Sequence, residues 1–148
     1  MAEISNLPME GGCACGDVQY KLLKEPFFTH ACHCLDCQRL SGGAFTLLSL
    51  IKDTDIEVHG ETNTTLLSTG SGAGHEPHFC PNCGTLIWSI YHAAPKGVMA
   101  LKTGTLDDSH DLQPQAHIFT KSKLSWVTLP TDIPSHEEFY DPAKTWPL

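Results

Sequence analysis

All seven cysteines of the chain fall into three clusters: Cys13 and Cys15; Cys32, Cys34 and Cys37; Cys80 and Cys83. An odd count argues against a closed disulfide set, and the spacings are those of metal ligands. Cys80-x-x-Cys83 followed by Gly84 lets two sulfurs approach one tetrahedral metal while backbone N–H groups turn toward them. That pair needs two further ligands. Cys13-x-Cys15 offers them from a similar glycine-flanked turn. Four thiolates close a coordination sphere, so this set reads as a structural zinc site. The alternative is two free thiol pairs or a redox dithiol. A thioredoxin-type pair would need a βαβ context, which the sequence does not show.

Cys32-x-Cys34-x-x-Cys37 is then left with three thiols. A catalytic zinc uses three protein ligands and keeps one position for water or substrate. Three thiolates donate strongly, which makes such a zinc a modest Lewis acid and a good anchor for a fourth thiolate. Thiol substrates therefore suit it better than hydrolysis. The competing reading is a second closed site, completed by His30, His33, His75, His78 or His117. The chemistry alone leaves both open. In an extended segment His33 alternates with Cys32 and Cys34 and faces away from them. Gln38, Arg39 and Ser41 follow the cluster. Arg39 could neutralise thiolates or bind a substrate carboxylate, or it could be a solvated helix residue. Gly42 and Gly43 serve a turn, although their bare N–H groups could reach an anion.

Short strands at regular spacing, with little helix, must position these clusters, which predicts a mostly β fold. Alternation or apolar runs predict strands over residues 17–23, 27–31, 44–51, 85–91, 98–101, 117–120 and 125–129, with shorter pieces around Ile56, Val58, Thr65 and Leu67. Residues 35–40 predict one or two helical turns, ended at Gly42. Gly70, Ser71, Gly72, Ala73 and Gly74 predict a flexible loop. Trp88, Trp126 and Trp146 read as core or edge packing, and Asp107 and Asp108 as turn carboxylates. Three segments are expected: a tail over 1–10, a zinc-binding domain over 11–130, and a Pro-rich extension over 131–148 that packs on it.

The bulk numbers bound the function. With 148 residues the chain fits one domain, and 41% hydrophobic against 18% charged residues argues against disorder. A formal net charge of −8 without a Lys/Arg run disfavours nucleic acid and anionic membrane surfaces. No signal peptide or transmembrane run is read from the sequence, so a cytoplasmic location is expected, where thiols stay reduced.

Three stretches carry a family likeness. Gly11-Gly12-Cys13-x-Cys15-Gly16-x-Val18-x-Tyr20, then Cys32-His33-Cys34-x-x-Cys37-Gln38-Arg39-x-Ser41-Gly42-Gly43-Ala44-Phe45, then Phe79-Cys80-x-x-Cys83-Gly84-Thr85 closely resemble the glutathione-dependent formaldehyde-activating enzyme family. Centromere protein V shares that domain. Weaker pieces follow at residues 104–108, 117–119, Ser122, Lys123 and Trp126. The resemblance implies a zinc-binding β-tent fold with two zincs per chain. Cys13, Cys15, Cys80 and Cys83 would hold the structural one, and Cys32, Cys34 and Cys37 the catalytic one. It implies carbon–sulfur lyase chemistry: glutathione and formaldehyde in equilibrium with S-(hydroxymethyl)glutathione. Relatives commonly carry an arginine shortly before the Phe-Cys of the second cysteine turn. Here residues 74–78 stand in its place, without Arg or Lys, so another small-molecule thiol is open. His33 or water is the expected proton donor. The competing function is a non-catalytic zinc-binding module for a protein or small-molecule partner, and a third is metal storage or redox sensing.

Overall fold

Alternating burial along short strands builds two sheets around two cores. The computed structural model describes residues 7–69 and 72–148. In chain order it contains β1 (Met9–Gly12), β2 (Gln19–Leu22), β3 (Phe28–Cys32), α1 (Leu35–Ser41), β4 (Thr46–Lys52) and β5 (Ile56–His59). There follow β6 (Asn63–Thr64), β7 (His75–Phe79), β8 (Leu86–Tyr91), β9 (Val98–Lys102), β10 (Ala116–Ile118) and α2 (Pro142–Thr145). The fold is mostly β, at 34% strand against 14% helix. No helix among the described residues is long and apolar enough to cross a membrane.

The smaller sheet runs β1-β2-β5, and the larger runs β10-β3-β4-β9-β8-β7-β6. All pairings are antiparallel except β10 on β3. Side chains on successive strand residues point to opposite faces. In β9, Met99 and Leu101 therefore enter one core and Ala100 the other. The first core joins the small sheet to the large one through Val18, Tyr20, Leu22, Ile51, Ile87 and Leu101, and it contains Cys80. The second lies on the opposite face, with Phe28, Leu48, Leu50, Ile118 and Tyr140, and it contains Cys32 and Cys37. Each cysteine set is thus tied to its own core.

Three expectations change. Residues 9 and 10, read as tail, belong to β1, and Met9 is buried. Residues 125–129 form no strand. The Lys123 ammonium donates to the carbonyls of Leu124 and Val127 at 3.2 and 2.8 Å, which folds the segment into a turn and leaves Trp126 72% exposed rather than packed. Residues 75–79 form β7, which the sequence pattern does not predict. Of the expected glycine loop, Gly70 and Ser71 lie outside the described residues.

One glycine is demanded by close approach. Gly60 follows β5 with φ +101°, and a Cβ there would collide with the carbonyl of Asp17, two residues ahead of β2. Gly60→Ala should cost about 2–3 kcal/mol, from a strained φ and a backbone clash together. The urea midpoint measures this; an unshifted midpoint would mean that the β2–β5 corner relaxes freely.

Candidate metal centres and the cavity beside one of them

The first cysteine set is made by two like turns. Between β1 and β2, Cys13 N–H donates to Val18 O and Gly16 N–H to Cys13 O. Between β7 and β8, Cys80 N–H donates to Thr85 O and Gly84 N–H to Cys80 O. Gly16 and Gly84 both take positive φ, +85° and +79°, which opens the loop for the sulfurs. Ala14 N–H donates to Thr85 Oγ1 at 3.1 Å and joins the turns. The four sulfurs lie within 4.8 Å of one another, with Cys13–Cys15 at 3.6 Å and Cys15–Cys80 at 3.7 Å. Four thiolates about 2.3 Å from a tetrahedral zinc would sit about 3.8 Å apart, so the donor set fits a metal ion rather than thiol–thiol hydrogen bonds. The Thr85 hydroxyl, followed by its N–H, holds the Cys83 thiol down to about 5.

The second set spans the β3–α1 junction. Cys32 ends β3, Cys34 is the N-cap of α1 and accepts from Cys37 N–H at 3.3 Å, and Cys37 lies in the helix. Gly42, with φ +70°, closes the helix through its N–H to Gln38 O, as the sequence predicts. The three sulfurs lie within 4.8 Å of one another. Among the described residues no histidine, carboxylate or fourth cysteine joins them. Hydrogen bonds from Cys32 and Cys37 pull the Cys34 thiol far below its ordinary value, whereas hydrogen bonding to Cys34 and Cys37, together with burial, pushes Cys32 far up. Three thiolates at this spacing require a cation among them, which is what a bound metal supplies. Both sets are able to bind metal ions.

The histidines proposed as a fourth ligand do not join the three sulfurs, although His33 Nδ1 and His117 Nε2 are buried without a hydrogen-bond partner among the described residues. His33 Nε2 meets His117 Nδ1 at 3.0 Å, and the His33 ring packs on Phe45. His33 is fully buried, so it packs beside the ligands and does not reach the cavity described below. His30 Nδ1 is bonded to Tyr140 OH at 2.9 Å, and burial drops its pKa to about 3. His75 Nε2 is bonded to Ser89 Oγ at 2.8 Å, and its ring stacks on Tyr91 with centroids 4.4 Å apart. His78 stacks on Trp88. Gln38 is structural: its amide donates to His33 O at 2.8 Å and Ser122 O at 3.0 Å, and so fastens α1. Arg39 is exposed on α1 and does not line the cavity.

Cys32, Cys34 and Cys37 form part of the wall of a cavity of about 460 Å³. Its remaining wall comes from β3, α1, β4, β7, β8, the β8–β9 turn, β9 and β10, and from two segments the sequence did not connect with it. Phe119, just past β10, has φ +54°, a costly conformation for a bulky residue at about 1–3 kcal/mol, and its ring lines the cavity. Its N–H donates to Glu138 O at 2.9 Å, which couples it to the C-terminal segment. That segment adds Phe139, Pro142 and Trp146 to the wall. Tyr140 anchors it: its hydroxyl accepts from Trp146 Nε1 at 2.8 Å and meets His30 on the far side. The clue in the sequence was four aromatic residues, His136, Phe139, Tyr140 and Trp146, in a proline-rich extension. So many rings need apolar surface to cover.

A family model, the glutathione-dependent formaldehyde-activating enzyme, matches residues 8–122. The chain belongs to that family. Its match spans both cysteine sets and ends before the segment that carries Phe139, Tyr140 and Trp146. The crystal structure of a Rhodobacter sphaeroides protein, 21% identical, covers 86% of this chain and 99% of its own, with a TM-score of 0.51. At that identity the likeness shows the shared fold. Among curated proteins, none matches the chain in sequence. Membership in the glutathione-dependent formaldehyde-activating family brings lyase-type chemistry at the level of the family.

Proposed function

We propose that the chain is a zinc-dependent carbon–sulfur lyase of the S-(hydroxymethyl)glutathione synthase type. It joins a small-molecule thiol to a small aldehyde such as formaldehyde and splits the adduct in reverse. The observation that carries this reading is the set Cys32, Cys34 and Cys37, a three-ligand group on the wall of a cavity, with no fourth protein ligand among the described residues. A binding module held closed by metal would bring a fourth side chain. A zinc held by these three cysteines would favour the thiolate form of a substrate thiol at neutral pH. Cys13, Cys15, Cys80 and Cys83 would hold the second, structural zinc. A reducing cytoplasm, where seven thiols stay available as ligands, suits this chemistry.

The chain's own groups do the rest. The cavity wall excludes water and holds the thiol sulfur against the aldehyde carbon. A carbon–sulfur bond forms, the carbonyl π pair moves to oxygen, and the oxygen takes the proton the thiol has lost. His33, being fully buried, is not placed to deliver it. Tyr91 is: it lines the cavity, and burial together with the charges of Cys37, Cys32 and Cys34 raises its pKa well above the ordinary value, so it stays protonated. Tyr91→Phe should lower turnover by about 10–100-fold with metal content unchanged. Full turnover in that variant would assign the proton to solvent. The reading as a whole is tested by exchange NMR, with ¹³C-formaldehyde and either glutathione or an apolar thiol. The metal-loaded protein should accelerate exchange between free aldehyde and adduct. No acceleration with either thiol would sink it.

A further inference from the structure

The cavity beside Cys32, Cys34 and Cys37 is selective in what it lacks. None of the nine Lys and Arg side chains of the chain lines it. The two histidines on its wall do not fill the gap: His30 Nδ1 is bonded to Tyr140 OH at 2.9 Å and His75 Nε2 to Ser89 Oγ at 2.8 Å, so each already bonds a hydroxyl. Lys102 sits on the same face of the sheet as Val98 and Ala100, but it does not line the wall. Among the described residues the one carboxylate on the wall is Asp36, whose sign opposes an anion. Leu40, Leu48, Val98, Phe119, Phe139 and Trp146 supply a broad apolar surface instead. Glutathione would bring two carboxylates and an ammonium into this space. A buried charge without a partner is strongly disfavoured. An apolar wall around a small polar focus, here the sulfur site, is the usual form of a pocket for an apolar ligand with one reactive group. The strained backbone at Phe119 supports this, since the fold keeps it while directing an aromatic ring at the cavity.

We propose that the thiol this chain takes is small, neutral and apolar, an aryl or arylalkyl thiol or its hydroxymethyl adduct, and not glutathione. The inference rests on the thiol–aldehyde reading and narrows it. Phe139 and Trp146, from the segment beyond the family match, are its specificity-determining wall. The sulfur lies toward the three cysteines and the ring against Phe119, Phe139 and Trp146.

The test is calorimetric titration of the zinc-loaded full chain with three probes: 2-phenylethanethiol, glutathione and 2-phenylethanol. The apolar thiol should bind at least about ten-fold more tightly than glutathione, and more tightly than the alcohol. Glutathione binding as well as or better than 2-phenylethanethiol overturns the substrate class while leaving thiol binding in place. The alcohol matching the thiol overturns the proposal differently, by removing the sulfur-directed reading beneath it. Ala93→Arg gives a second arm, because Ala93 is an exposed residue on the cavity wall in the β8–β9 turn. The added cation should tighten mercaptoacetate by about ten-fold. No gain there would show that wall charge does not set the choice, which also counts against the proposal.

Discussion

Replacing Cys34 by Ala should remove one of two bound metal equivalents and reduce carbon–sulfur lyase turnover by at least about 10³-fold, with the fold retained. The expectation follows from where each ligand sits. Cys32 and Cys37 belong to the second core, so truncating either would also open a packing defect. Cys34 is only half-buried and contributes one sulfur and one cap. Loss of the cap costs about 1 kcal/mol. The helix has other moorings: Gln38 to His33 O and Ser122 O, and Thr46 Oγ1 to Cys37 O at 3.2 Å. Circular dichroism should therefore change little and the melting temperature fall by only a few degrees, whereas elemental analysis drops from two metals to one. A Cys34→Ala protein that keeps two metals and full turnover would show that the three-cysteine set is not the reactive centre.

How well the sequence foretold this arrangement depends on how local each determinant is. Metal ligation writes itself into spacing, so both cysteine sets were legible from Cys13 to Cys83. The α1 turn was legible as well, because Gly42 adopts the left-handed conformation that its position requires. Strand β7 was not. Its Pro77 argues against a strand with neighbours on both sides. In the structure β6 pairs only with His78 and Phe79, so the missing N–H of Pro77 costs no ladder bond there. Tyr140 was invisible for another reason. Its hydrogen bond to His30 joins residues 110 apart, and nothing in local periodicity reports such a contact. The expected strand at 125–129 failed because apolar composition was read as pairing, while Lys123 ties those carbonyls into a turn.

That difference in range also separates the two halves of the function. The cysteine sets come from short motifs inside the family match, and in the proposed function they set the chemistry. Part of the cavity wall comes from chain beyond the match, and in the proposed function it sets what the chemistry acts on. A change in the C-terminal segment should accordingly alter substrate preference while leaving metal content alone, whereas a change in a cysteine turn does the reverse.

The second large effect is on stability, at the other metal set. Cys83 is exposed, so Cys83→Ala removes almost no buried surface. On packing alone the variant should be neutral. If a zinc ties the β1–β2 turn to the β7–β8 turn, the same substitution should cost several kcal/mol, about 3–5, because a metal bound to the native state contributes its binding energy to folding. The affected region is specific. Cys80 is fully buried in the first core, and Cys13 packs against that core, so loosening the site frees the edge where the small sheet meets the large one. Hydrogen exchange should therefore rise first in β1, β2 and the start of β8, with β3 and β4 protected longest. A strong chelator acting on the unmodified protein should reproduce this pattern, since it removes the same ion by another route. Cys83→Ala with an unchanged urea midpoint, and a chelated protein with the same exchange map as the loaded one, would mean that the two turns are held by Ala14, Thr85 and the first core alone. The contrast with Cys34→Ala is the sharper test of the division of labour: one substitution should abolish turnover at little cost in stability, and the other should lower stability while the folded fraction still turns over.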